Sequence, residues 1–448
     1  MANSTLPQKQ TGNKFYGFLF KSIDNAPLIV FRIIFGFLLM CHCVKAFTSG
    51  FILRNLITPK FTFSHIGMDW LQPLPGNGMY FYYAAMAVCG ILISVGLFYR
   101  YSLMAFTILW AGVYFMQKTI YNNHYYLLLL ICIIMLFMPA NENHSIDSKI
   151  NPQIKSNYMP AWCSWVMIFQ IGIVYTFAAI AKMYPDWLDG TYTTLVLEKS
   201  KSVWLQELYH QKWLHYFIAY AGLLFDLLIV PLLLWRRTRI FMFVAAVFFH
   251  LFNNVTFDIG IFPFFALSFC VFFFEPETIR KIFFRNAIPE DIIPYSSFGR
   301  RSVLWFFIPY FFIQLILPIR HYFIKGDVLW TDEGHRLSWR MMLRNRAGTI
   351  KFIVEDHETG KRKTFKLVKI LTKRQIKMMR TKPDMIWQTA QRINEYYQKK
   401  GKTVSIYIDS KVSINKKPAK VLIDPNTDFA TAKWNYFGHN DWILLYED

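Results

Sequence analysis

The sequence predicts a polytopic α-helical membrane protein of about nine transmembrane helices, carrying a C-terminal extracytoplasmic cap of α+β or β-sandwich type. Three observations lead there. Hydrophobic residues fill 54% of the 448 positions and aromatic residues 19%, against 17% charged, where soluble domains average about a quarter charged. Apolar runs of spanning length recur along the first two thirds of the chain, separated by short polar or aromatic connections. From about Trp330 those runs stop and alternating patterns begin, the period of half-buried strands.

The apolar runs begin near Pro27, Met79, Ser102, Ile120, Pro160, Trp213, Ile240, Ile259 and Val303. Several of these helices are expected to be short or tilted. Basic residues mark one side. Lys9, Lys14 and Lys21 precede the first run, Arg100 follows the second, and Lys149 and Lys155 follow the fourth. Arg236, Arg237 and Arg239 follow the sixth, and Arg280, Lys281, Arg285, Arg300 and Arg301 follow the eighth. Lysine and arginine stay on the cytoplasmic side, so the amino terminus is expected inside and, with an odd helix count, the C-terminal part outside. The expected organisation is a cytoplasmic segment 1–25, a membrane domain 26–322 and a soluble extracytoplasmic domain 323–448. The first twenty residues lack a cleavable signal pattern.

The formal charge of +21 is read as a membrane-surface signal, with nucleic acid not expected as a partner. The six cysteines, Cys41, Cys43, Cys89, Cys132, Cys163 and Cys270, all lie in apolar runs without paired ligand spacing, so no metal site and no disulfide framework is expected. A turn-rich stretch at 47–78, with LPGNG near its end, is expected over the helix mouths. In the cap, TIKFIVED and TFKLVKIL flank HETGKRK as a hairpin, a helix runs from about Pro383 to Gln398, and TVSIYID opens further strands. The basic run from Gly360 to Arg380 reads as a solvated hairpin face.

Lys182 ends an otherwise apolar run, VYTFAAIAKMYPDWLDG from Val174 to Gly190. An amine there must snorkel to water, pair with an acid, or lose its proton and become a base. Ala178, Ala179 and Tyr175 share its helix face, which is small enough for a flat ligand or a close helix contact. The topology brings other polar residues toward the same outer level. Asn122, Asn123 and His124 start the fourth helix, and His250, Asn253 and Asn254 line one face of the seventh, followed by Asp258. Asp186 and Asp189 are expected in a watery interface loop with Trp187 as an interfacial anchor. Asp226, inside the sixth helix, has no evident partner. Single histidines and asparagines in such helices are often packing residues; together they suggest a chemical or transport site. HExxH, glycine-rich phosphate loops and nucleophile elbows do not occur, which argues against metalloprotease, nucleotide and hydrolase chemistry.

YNNHYYL (121–127), FAAIAKMYPDW (177–187), HLFNN followed by FDIGIFPF (250–264), GHRLSWRMMLRNR (334–346) and VSINKKPAKVLIDP (412–425) resemble, in order, the vitamin K-dependent γ-glutamyl carboxylase family. The resemblance spans both parts of the chain, the first being an HTTM-like membrane domain. It implies a carbon–carbon lyase that oxygenates reduced vitamin K, a phylloquinone or menaquinone hydroquinone, to its epoxide. That reaction removes a γ proton from peptide glutamate so that CO2 can add, with O2 and CO2 as co-substrates. It implies Lys182 as the base, His124 and His250 as catalytic partners, and Asn123, Asn253 and Asn254 in support. Ser338 and Arg346 become candidates for holding a carboxylate, Trp339 for the substrate site, and Met341 and Met342 for the quinone. The chain stops at Asp448, short of the animal enzymes, and its outer domain lacks cysteine, so the likeness is to a bacterial-type homologue of the inner membrane. The alternatives are a quinone epoxidase without protein carboxylation, a proton-coupled transporter and a non-catalytic peptide-docking partner.

Overall fold

A computed structural model describes residues 14–198, 206–257, 260–285, 300–341 and 343–446. Asp258 and Met342 lie outside the described residues. The helical body is built from α1 (Ala26–Thr48), α2 (Gly78–Val95), α3 (Tyr99–Met116), α4 (Asn123–Leu136), α5 (Trp162–Lys182), α6 (Lys212–Leu234), α7 (Arg239–Phe257), α8 (Phe262–Ser268), α9 (Pro276–Phe284) and α10 (Arg300–Ile319). Every apolar run of the sequence therefore contains a helix. Only six of them are long and apolar enough to cross a membrane, or up to seven if the bent Phe262–Phe273 and Pro276–Phe284 pair is one span, among the described residues. The fourth run falls short because its helix has 14 residues, about 21 Å of rise against a hydrocarbon core of about 30 Å. The eighth is broken at Pro276, where its two halves meet at 119°.

Backbone contact sets the α1–α2 crossing. A Cβ on Gly36 would sit 2.3 Å from the Ser94 nitrogen, and one on Gly90 would sit 2.7 Å from the Met40 nitrogen, so only glycine lets these helices approach this closely. The end of the body away from the C-terminal domain is locked by β1 (Ser22–Asp24) pairing antiparallel with β2 (Tyr158–Pro160). There the buried Arg280 guanidinium binds Asp24 and donates to Asn25 Oδ1 at 3.0 Å. A second buried guanidinium, Arg32, donates to the carbonyls of Ile93, Ser94 and His144 and so ties α1 to the end of α2.

Among the described residues the C-terminal domain is α+β and not a sandwich. Its single four-stranded antiparallel sheet has the order β4-β3-β5-β6, from β3 (Arg346–Asp356), β4 (Arg362–Thr364), β5 (Val404–Ile414) and β6 (Lys420–Val421). One face is covered by α11 (Lys373–Met379) and α12 (Pro383–Gln398), which supply the second layer that a sandwich would draw from another sheet. The hairpin forms where expected: Asp356 Oδ1 accepts from the amides of Glu358 and Thr359, and Gly360 takes φ +63°. The second run, TFKLVKIL, stays paired only briefly and then turns into a short 3-10 helix at Leu367–Lys369. Pro383 at the first turn and the Thr372–Gln375 capping box fix where the two helices start.

The loop between α1 and α2 does fold over one end of the bundle, between body and sheet domain. Gln375 Nε2 donates to Phe61 O at 2.8 Å, and Gln388 Nε2 donates to Ser64 O at 3.1 Å. Beside them Asp384 receives Lys118 Nζ at 2.7 Å and Arg336 Nη1 at 2.6 Å, a three-membered buried charge cluster joining the two parts.

Candidate functional site

Of the three fates open to Lys182, the structure selects pairing with an acid. Lys182 is the last residue of α5, where the unpaired carbonyls of the helix end favour positive charge. Its Nζ donates a short hydrogen bond to Oδ2 of Asp226 on α6, the acid that the sequence left without a partner. The two side chains are 10% and 7% exposed. Trp187 roofs the pair: its ring centroid lies 5.4 Å from Nζ, and its indole donates to Ala219 O at 2.9 Å. Ala181, Trp187, Tyr192, Ala219, Leu329 and Leu343 close an apolar wall around this point. Trp187 and Asp186 are thus buried, not interfacial. Asp186 accepts from Asn415 and Lys417 of the sheet domain, each at 2.8 Å, because that domain covers the segment expected to face water.

Both histidines contact one ring, Phe262. His124 stacks on Phe262 with centroids 3.4 Å apart, and the His250 ring stands edge-on to the same phenyl at 6.1 Å. His250 Nε2 is 3.0 Å from the Tyr175 hydroxyl. Phe225, next to Asp226, meets both His250 and Tyr175 edge-on, at 5.9 and 6.1 Å. His124 also lines a cavity of about 430 Å3, walled by Phe51, Tyr125, Leu128, Phe262 and Phe265 and carrying His42. Lys182 and His250 do not line it, so the three expected catalytic side chains share a neighbourhood without sharing one chamber. Asn253 and Asn254 are half-buried near the end of α7.

The loop 334–346 is stitched to the start of α4. Asn123 Nδ2 donates to Arg340 O at 3.0 Å, the Tyr121 hydroxyl donates to Asn123 Oδ1 at 2.8 Å, and the Leu337 amide donates to Tyr121 at 2.7 Å. Leu337 and Trp339 both take left-handed backbone conformations, φ +61° and +55°, which cost free energy in residues other than glycine and persist only where surrounding contacts impose them. Trp339 is fully buried and stacks on Tyr126 at 5.0 Å, while Met341 packs against the helical core; neither lines the cavity. Ser338 gives its proton to the Gly334 carbonyl, so its hydroxyl closes the loop instead of being a free donor for a carboxylate.

The family model for the HTTM domain matches residues 20–277, and that for the vitamin K-dependent gamma-carboxylase lumenal domain matches residues 299–448. The chain belongs to the vitamin K-dependent γ-glutamyl carboxylase family. No solved structure matches it. Among the expected carboxylase residues, Arg346 is the most exposed to electrostatic conflict. Its side chain is 7% exposed, and Nε, Nη1 and Nη2 are all buried without a hydrogen-bond partner; the nearest anion, Asp332 Oδ1, is 3.7 Å away and already bonded to Arg344. Burial, with Arg344 beside it, pushes the Arg346 guanidinium from 12.5 down to about 9. Burial also acts to raise Asp332, but Arg344, His335 and Arg346 outweigh it and hold that carboxyl well below its ordinary range. A planar cation with unused donors, fixed at the start of β3, is suited to a carboxylate.

Sequence reasoning missed Asp226 as the lysine's partner, His42 in the cavity and Phe262 as the ring that both histidines contact. Asp226 carried a signal, since an acid inside an apolar helix calls for an opposite charge nearby. His42 and Phe262 carried none beyond their place in apolar runs.

Proposed function

We propose that the chain is a multi-pass membrane carboxylase that oxygenates reduced vitamin K, a phylloquinone or menaquinone hydroquinone, and couples this to addition of CO2 at the γ carbon of glutamate in a peptide or protein. The reading rests on one observation above the others: a member of this family holds a primary amine, Lys182, out of water with its own acid, beside the loop 334–346. When bound, the reduced naphthoquinone supplies, with O2, the oxidative chemistry that makes so weak a carbon acid removable.

The residues present fit such a group. The cavity beside His124 is within the usual size of small-molecule sites, about 300–1,000 Å3, its wall combines the rings of Phe51, Tyr125, Phe262 and Phe265 with the polar side chains of Lys45, Asn122 and Arg374, and His124 Nδ1 is buried without a partner. His42, His124, Phe262 and Phe265 would hold the ring system, and the apolar helices suit a long isoprenoid or phytyl tail. The Lys182–Asp226 pair, buried beneath Trp187 and beside the cavity without lining it, is the base, where electrostatic effects are strong. His124 offers its free nitrogen to an oxygen, and His250 is oriented by Tyr175. Asn123 holds the loop, and Arg346 pairs with the carboxylate of the incoming glutamate. Trp339 and Met341 fix the loop against the body and do not touch the ring. The amino terminus would face the cytoplasm and the sheet domain the extracytoplasmic side of a bacterial inner membrane, so that cofactor arrives from lipid and peptide from water.

The test is to incubate purified protein with reduced vitamin K, bicarbonate and a glutamate peptide, and to follow epoxide by chromatography. Epoxide formed by the wild type and lost in Lys182→Ala supports the reading. Epoxide formation that survives this substitution unchanged removes Lys182 as the base.

A further inference from the structure

The ion pair in the bundle changes what can act as the base. Lys182 has a carboxylate within a short hydrogen bond, a helix C-terminus behind it and an aromatic face over it. All three are contacts that suit a cation at Nζ, so the carboxylate has to be counted together with the amine.

We infer that Lys182 and Asp226 form one base: the pair holds a single proton at rest, accepts a second, and that second proton resides on the Asp226 carboxylate. This deepens, and rests on, the carboxylase reading above. The proton count balances. With one proton the pair is neutral, whether drawn as ammonium with carboxylate or as amine with carboxylic acid. Uptake of a proton from a hydroxyl donor leaves an ammonium beside a neutral acid, a net cation facing the anion the donor has become. Lys182 then supplies the positive charge that stabilises that anion and Asp226 supplies the vacancy for the proton.

The surroundings allow this. Within the bundle Tyr175 and His250 both meet Phe225, the residue before Asp226, and they are engaged with each other at 3.0 Å. The roof contributes Trp187 from the segment after α5, and Leu343 from the loop, both uncharged. Tyr184 and Tyr192 are the phenols on that side: Tyr192 stacks on Trp187 at 5.5 Å, and the surroundings of Tyr184 hold Asp186, Arg344 and Arg340. Asp226 is therefore the anion in contact with the amine, and replacing it by asparagine removes the acceptor while keeping the volume.

Two readouts on the full-length purified chain separate the ideas. The first is acylation of Lys182 by an amine-selective reagent without any quinone, read by peptide mass spectrometry. The second is turnover of reduced phylloquinone. Asp226→Asn should raise Lys182 acylation at neutral pH by about tenfold or more, since the amine is no longer held protonated. The same variant should lower turnover by about a hundredfold or more, the usual size of a general-base effect, with Asp226→Glu restoring part of both. The double variant Lys182→Met, Asp226→Leu should fold as well as the wild type, because apolar residues replace a buried pair without penalty, and should turn over no quinone. Unchanged acylation in Asp226→Asn overturns the pairing. Raised acylation with retained or faster turnover overturns the shared base and leaves the amine alone as the acceptor. A wild type that turns over no quinone overturns the proposed carboxylase reading instead, while acylation still decides whether the pair shares its proton.

Discussion

Arg346→Met should make the protein more stable and a worse carboxylase. The guanidinium is 7% exposed, makes no hydrogen bond and lies beside Arg344. From 12.5 in the unfolded chain to about 9 in the fold, at about 1.4 kcal/mol per pH unit, the folded state forgoes about 5 kcal/mol by keeping this group charged. Methionine keeps most of the apolar packing and restores part of that loss, about 1–4 kcal/mol by comparison with other buried charges replaced by apolar residues. The sign in pH follows from the lowered value. Between about pH 9 and 12.5 the unfolded chain binds the extra proton, so the penalty is complete below pH 9 and is relieved as pH rises through that window. Thermal unfolding in detergent at pH 8 should therefore show a higher Tm for the variant. KM for the glutamate peptide should rise about tenfold or more, the loss of a charge-assisted contact, with epoxidation in the absence of peptide little changed. A Tm that falls by several degrees would show that Arg346 is held by contacts that stabilise the fold, and an unchanged peptide KM would remove it from the substrate site.

Four further outcomes follow from the same structure. Asp384→Ala strands Lys118 and Arg336, buried at the contact between body and sheet domain, and should cost about 3–5 kcal/mol, read as faster hydrogen exchange across Pro383–Gln398. Burial works against the Asp384 carboxyl, but Arg336 and Lys118 hold it far below its ordinary 3.8. Its stabilisation is complete above that value and lost as pH falls toward the folded one, so tryptophan fluorescence should report undocking only below about pH 4. Lys118 is pushed by burial from 10.5 to about 8, against the pull of Asp384; docking should strengthen from pH 8 to 10.5, and Lys118→Met should abolish that rise. Asn123→Ala frees the Arg340 carbonyl and the Tyr121 hydroxyl and should loosen the loop 334–346, seen as a new proteolytic cut there with the remainder of the body still protected.

The positions of the helices were legible in the sequence because each apolar run is bounded by charge, proline or glycine, and Pro383–Gln398 was legible to its ends. Their number of crossings was not, because run length does not reveal a 119° break at Pro276, the brevity of α4, or that α3, with 18 residues, is not apolar enough to count. Lys182 stood out as an amine in an apolar helix. Its partner did not, because depth counted along one helix assumes that its neighbour starts at the same level. The segment after α5 folds along α6 instead, with Trp187 against Ala219 well after the start at Lys212, and this offset brings the middle of α6 to the end of α5. Likewise the watery loop expected at Asp186 is covered by Asn415 and Lys417, residues that lie more than two hundred positions away in the chain and that no local pattern connects to it.

The account as a whole is tested most directly by the mass of a glutamate peptide after incubation with the purified chain, reduced vitamin K, O2 and isotopically labelled bicarbonate. Labelled CO2 on the glutamate side chain, present with the wild type and absent with Lys182→Ala, is the predicted result. Consumption of the quinone to its epoxide with every peptide tested left at its original mass would contradict carboxylation and leave epoxidation as the whole reaction.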